Sequence, residues 1–155
     1  MKIRCQYDEI IQTSELLKKR HPKNPNEHPE SQIKRLAEIM VYQGVRHPIV
    51  ISKQSGLITK GHGRLEAAVL NLWEEFPVEY QEYESEDQEY ADLVSDNSIA
   101  SWAELNLSRI NYEIPNLGPD FDINILGIKD FKIDPTEKDE EPVKICEACG
   151  GKILG

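Results

Sequence analysis

Four consecutive residues, Gly61-His62-Gly63-Arg64, put two positions without side chains and two basic residues directly before an apolar pattern of helical spacing, Leu65, Ala68, Val69 and Leu72. A strand that ends in Gly-X-Gly and feeds a helix leaves the first N–H groups of that helix unpaired and unobstructed, and such a site binds anions. Arg64, in the first turn, adds a two-pronged guanidinium for phosphate oxygens. The same residues also fit a tight turn in which the glycines supply positive φ and His62 and Arg64 face water. Spacing alone leaves both readings open. A Walker A loop is excluded, because its six-residue span and Lys-Ser/Thr ending are missing.

A second chemical motif lies near the end of the chain. Cys146-Glu-Ala-Cys149-Gly-Gly has the spacing of a zinc knuckle, with two thiolates closing on one Zn²⁺ and glycines permitting the turn. A structural zinc site needs four ligands, and only Cys5 and four scattered histidines remain. Three readings stand: a half-site completed by a second chain, a disordered tail, and a redox pair. Gly150-Gly151 opposes the last, since a redox CxxC normally opens a helix.

The elements that must position the glycine stretch follow from periodicity. The stretch around Ile10 and Ile11 reads as a short strand followed by a helical turn. His21 to Pro29, with three prolines and two asparagines, must be a loop. Pro29 suits a first helical position, and Ile33, Leu36, Ala37, Met40 and Val41 follow at helical spacing until Gly44 ends the helix. HPIVIS, 47 to 52, is a buried strand, Gln54-Ser55-Gly56 a turn, LITK a second strand and FPVEY another. The order around the motif is therefore strand, GHGR, helix, strand.

Tyr90 to Ser98 reads as helical, and 103 to 117 as a helix interrupted near Pro115. GPDFDINILGIKDF reads as a closing element packing Phe121, Ile125, Leu126 and Ile128 onto the core. Residues 134 to 144 form a polar linker. The division expected is a core over 1–100, a helical closing extension over 101–133, and an acidic linker with the CxxC tail over 134–155.

Composition sets the class. In 155 residues, 39% are hydrophobic and 30% charged, with no apolar run near the roughly 18 residues that span a bilayer, so a soluble protein without membrane partners is expected. The first residues lack the apolar stretch of a secretory signal, and three cysteines fit a reducing compartment, which implies a cytoplasmic location. The net charge of -10 is unevenly spread: residues 1 to 70 hold 12 basic and 7 acidic residues, and the remainder is strongly acidic. The segment 73 to 92 contains no base and reads as a solvated acidic face.

Taken together, Asn24-Pro25, Gly44, Pro48-Ile49-Val50, Gly61 to Arg64, Ala67-Ala68 and Pro77-Val78 follow an order that resembles the ParB/sulfiredoxin superfamily over about residues 8 to 100. The resemblance implies an α+β fold, a small mixed sheet packed with helices, here carrying a helical C-terminal extension and a short Cys-containing tail. ParB proteins that bind and hydrolyse CTP usually show Gly-Glu-Arg-Arg at the loop. Gly61 and Arg64 match, whereas His62 and Gly63 replace the middle pair. Sulfiredoxins need a cysteine in the same turn, and none is present here, which opposes their chemistry. Partitioning ParBs also show Glu-Asn-x-x-Arg further on. Asp96-Asn97 supplies the acid and the amide, but the arginine is missing. The acidic remainder of the chain is too short for the helix-turn-helix domain of those proteins. In its details the chain looks most like the ParB-like domains of phages and mobile elements, often found beside DNA methyltransferases.

The resemblance thus implies a nucleoside triphosphate, CTP or ATP, held by Gly61, His62, Gly63 and Arg64. Asn24 and His28, in the His21 to Pro29 loop, would lie near the base or sugar, and Asp96 and Asn97 would contact Mg²⁺. Slow hydrolysis belongs to the same reading, and a homodimer would follow if two chains shared one zinc through Cys146 and Cys149. A different class is a small-molecule phosphotransferase like the serine-kinase branch of the superfamily, with Glu30 or Glu66 as general base, although an acid so placed is more often a helix-surface residue. A third is an accessory DNA-interaction domain using Lys18, Lys19, Arg20 and Lys23. A nuclease is not supported, since no cluster of metal-binding acids stands near a basic groove.

Overall fold

A computed structural model describes residues 1–118, 120–129 and 131–132, apart from the side chains of residues 96 and 97. The chain divides into two compact units between Ala103 and Glu104. The first unit is built as β1 (Glu9–Gln12), α1 (Thr13–Lys18), α2 (Glu30–Gln43), β2 (Ile49–Ser52), β3 (Ile58–Lys60), α3 (His62–Leu70), β4 (Glu75–Gln81) and α4 (Glu86–Ala100). The four strands form one mixed sheet in the order β1-β4-β2-β3, with β4 parallel to β2 and the other two pairings antiparallel. The architecture is α+β.

The sheet is anchored on β2, all four residues of which are buried. A continuous β-branched run suits a strand covered on both faces better than the alternation of a half-exposed one. Helices α2 and α3 bring Ile33, Ala37, Met40, Leu65 and Ala68 against Ile49, Ile51, Phe76 and Val78 in a single apolar cluster. Asn71 ties the two helices together at one end by donating its side-chain N–H to the Ala37 carbonyl at 3.1 Å.

The apolar stripes end sooner than their spacing suggests. Val41 is 63% exposed and Leu72 87% exposed, and Val69 also faces outward. Leu72 lies beyond α3 with φ 55°, so the chain has already left helical geometry there. Pro29 stands one residue outside α2, as its N-cap rather than its first residue. Helix α4 begins at Glu86, earlier than Tyr90, because Glu86, Asp87 and Glu89 in its first turn favour the positive end of the helix dipole.

In the second unit α5 (Leu107–Glu113) is capped by Asn106, whose side-chain oxygen accepts from the Arg109 N–H at 2.9 Å. Pro115 then converts the chain to a single 3₁₀ turn, as its missing N–H and fixed φ require. A further 3₁₀ turn covers Ile123–Leu126. Within this unit Phe121, Ile125 and Ile128 are half-buried and Leu126 is exposed. Among the described residues of this unit none is buried. So short a run of turns offers few apolar side chains per residue to remove from water. Cys146 and Cys149 lie outside the described residues.

Candidate nucleotide site

Strand β3 ends at Lys60, and Gly61 takes the left-handed conformation, φ 100°, before α3 starts at His62. A β-carbon at Gly61 would come within 3.0 Å of Arg64 Nη2 and 3.1 Å of Ile49 Cγ1. Both backbone strain and space therefore demand glycine. No side chain caps the start of α3. The helix start is thus free of a capping side chain from Gly61, which leaves its positive end open to an anion. Gly63 meets a different constraint: a β-carbon there would stand 3.3 Å from His28 Cε1, so the glycine lets the His21–Pro29 loop close over the helix start.

The loop and the helix start share one cavity of about 340 Å³. It is lined by Asn24, Asn26 and His28, by Gly44 to His47, and by Gly61, His62, Gly63 and Arg64, with His28 close against Gly63. This size falls within the range of small-molecule sites. A hollow of about 500 Å³ between Lys34, Val41, Tyr42 and Leu70 is larger, but it lies on the outer ends of α2 and α3 and includes none of the glycine loop. The groups able to hold an anion belong to the smaller cavity.

Four polar groups in that cavity are held by the fold. Asn24 turns its loop by accepting from the backbone and side-chain N–H groups of Asn26, at 3.3 and 3.2 Å. His28 Nδ1 lies 3.2 Å from Gln32 Oε1 in the first turn of α2. Arg64 donates from Nη2 to the Pro48 carbonyl at 2.9 Å, which fixes the guanidinium at the mouth of β2. His62 is 5% exposed, and its Nε2 accepts from the His21 backbone N–H at 3.2 Å. Burial, reinforced by the nearby Arg20, His21 and His28, holds the His62 pKa down at about 4. The ring is neutral at pH 7, with its proton on Nδ1. His62 therefore offers a ligand a hydrogen-bond donor and no charge.

Of the other residues singled out by sequence, Glu30 and Glu66 do not line the cavity. Glu30 is paired with Lys34 at 2.6 Å, which holds its carboxyl below the usual range. Glu66 is engaged by Arg20. Asp96 and Asn97 lie in α4, with side chains outside those described. Cys5 is half-buried against the core, and burial pushes its thiol pKa up.

Sequence reasoning misses Glu89 and His21. The acidic segment reads as a solvated face, yet Glu89 is 3% exposed. Its carboxylate accepts from Ser52 Oγ and Ser55 Oγ, each at 2.6 Å, and lies 3.5 Å from His21 Nε2. No local signal separates this acid from its exposed neighbours; two serines of a distant hairpin do.

No protein-family model matches the chain, and no curated protein matches its sequence. Among solved structures it is similar to the C-terminally truncated chromosome-partitioning protein ParB from Caulobacter crescentus, complexed with CTP-gamma-S, with TM-score 0.55 and 20% identity. The chain carries a ParB-like fold. The similarity covers 68% of this chain and 59% of that one, so less than two thirds of the ParB structure has a counterpart here. Within the ParB-like fold, the Gly61–Arg64 turn joins β3 to α3 and faces the cavity. Among the described residues no helix is long and apolar enough to cross a membrane.

Proposed function

We propose that this ParB-like domain binds a nucleoside triphosphate in the 340 Å³ cavity, with CTP the first ligand to test. The observation that carries the reading is the start of α3, opened by left-handed Gly61 and carrying Arg64, in the wall of a cavity that Asn24 and His28 also line. Backbone N–H groups and a guanidinium suit phosphate oxygens, and the amide and imidazole suit a sugar or base. The ParB neighbour holds CTP-gamma-S.

Among the described residues no group of three or more His, Cys, Asp or Glu is placed to hold a metal ion. Mg²⁺ would arrive with the nucleotide, since this ion keeps several waters and takes phosphate oxygens with one or two protein ligands. Asp96 and Asn97 are the residues proposed for that contact. Glu30 and Glu66 are both engaged by cations outside the cavity, which favours binding without fast turnover. The phage or mobile-element setting, and DNA or a DNA methyltransferase as partner, rest on the sequence resemblance.

Calorimetry and thermal melts with CTP, ATP, ADP and GTP, each with and without Mg²⁺, test the reading. One Mg²⁺-nucleotide should raise the melting temperature by an amount that grows with the logarithm of its concentration. Arg64→Ala should remove most of that shift, with its own melting temperature as reference because the Pro48 contact is lost too. An unchanged melting temperature across the panel, with no heat of binding, sinks the proposal.

A further inference from the structure

Helix α4 reaches the glycine loop through a chain of buried groups. Glu89 is fixed by the two hairpin serines, which are themselves oriented: Ser52 Oγ accepts from the Gln54 N–H at 3.1 Å, and Ser55 Oγ from the Leu57 N–H at 3.1 Å. With both hydroxyls pinned as donors, the carboxylate has little freedom to turn away from His21 Nε2, 3.5 Å distant. On the other edge of that ring, His21 Nδ1 accepts from the Lys23 N–H at 3.1 Å. An imidazole whose Nδ1 is an acceptor carries its proton on Nε2, so the His21 donor faces the carboxylate. The backbone N–H of the same residue donates to His62 Nε2. The position of His21 therefore decides which nitrogen of His62 is bare and which carries the proton.

We propose that Glu89 is a positioning residue for the Gly61–Arg64 loop, acting through His21 to hold the His62 ring in its Nδ1–H form. The arrangement is that of a carboxylate orienting one imidazole so that a second is oriented in turn. A buried carboxylate held by two hydroxyls and a histidine costs desolvation, and a helix-surface acid would have avoided that cost. The Ser52–Glu89–His21 links cross three separate elements: β2, α4 and the loop after α1. A second tie runs in parallel from α4, where Asp92 Oδ1 lies 3.2 Å from Lys60 Nζ, the residue immediately before Gly61. The supporting shell of the loop thus comes from α4, and in the nucleotide reading it preorganises the donor that His62 offers to a phosphate. Only this last step rests on that reading.

Ring ¹⁵N shifts of the full chain without ligand, with the His62 signals assigned, provide the test. In the unaltered protein His62 should show a protonated Nδ1 and a bare Nε2. Glu89→Gln and His21→Ala should each spread the proton over both nitrogens, and the double variant should go no further than the singles. Both should weaken Mg²⁺-CTP binding about tenfold, the scale of one lost polar contact. A folded Glu89→Gln protein with unchanged His62 shifts overturns the proposal, as does a loss of affinity without a change in those shifts. If Glu89→Gln fails to fold, His21→Ala decides on the same criterion. Absence of nucleotide binding in the unaltered chain would defeat the functional reading alone, because the nitrogen shifts are read without ligand.

Discussion

His62 and Gly63 sit side by side in the first turn of α3, and their roles separate. His62 titrates at about 4 when folded and near 6.5 when unfolded. Between those values the unfolded chain takes up the proton more readily, so stability is full above about pH 6.5 and falls as the pH drops toward 4. The loss amounts to roughly 3 kcal/mol over that window, since each tenfold difference in proton affinity is worth about 1.4 kcal/mol. Urea midpoints measured from pH 7 to 4.5 should show the slope, and His62→Gln, which keeps an acceptor for the His21 N–H, should flatten it; an identical slope in the variant would assign the effect elsewhere. Gly63→Ala should act on binding rather than folding. Its helix propensity gain of up to about 1 kcal/mol offsets the few tenths of an ångström by which His28 must yield. A protein of near-normal melting temperature with several-fold weaker nucleotide binding is the expected result, whereas unchanged affinity would mean that the His28 side of the cavity is not used.

At the scale of elements, α3 shows where pattern and packing diverge. Leu72 follows the helical period of Leu65 and Ala68, yet it stands past the helix end in left-handed backbone with its side chain in water. An L-residue there carries a steric penalty on the order of 1–2 kcal/mol and recovers little by burial. Leu72→Gly relieves the clash at the cost of a more flexible unfolded chain. A net gain of about 0.5–1 kcal/mol, read from the urea midpoint, is expected. A destabilised variant would show that Leu72 makes a contact worth more than its strain. The α2 stripe diverges similarly at Val41. In both helices the inner residues are fixed by β2 and β4, and the outer ones are released once the sheet no longer lies beneath them.

For the whole molecule, the charge asymmetry is the broadest property with a functional bearing. The first 70 residues carry the excess of basic groups, but Arg20 is engaged by Glu66 and Lys19 is half-buried. Lys18 and Lys23 remain exposed. So few cations beside so acidic a remainder predict a weak, salt-sensitive affinity for DNA at most. Mobility-shift assays at low salt should show faint retardation that disappears near physiological ionic strength and on Lys18→Gln with Lys23→Gln. Tight binding that survives salt would point to a DNA surface built from other residues.

The order of the elements around the glycine loop is legible in the chain itself, since β-branched runs, helical spacing and proline-rich loops are local properties carried into any fold. Gly61, Gly63 and Arg64 stand out for the same reason, because a strand-to-helix turn without side chains has few uses. The fate of the ionisable groups is different, and it emerges in three dimensions alone. By sequence His62 is a phosphate contact or a solvent-facing residue, and in the fold it is buried and neutral; Glu89 is one acid among many until it is buried against Ser52, Ser55 and His21. Burial and partnership depend on residues dozens of positions away, and the free energy of a charge is set by that environment far more than by its neighbours in sequence.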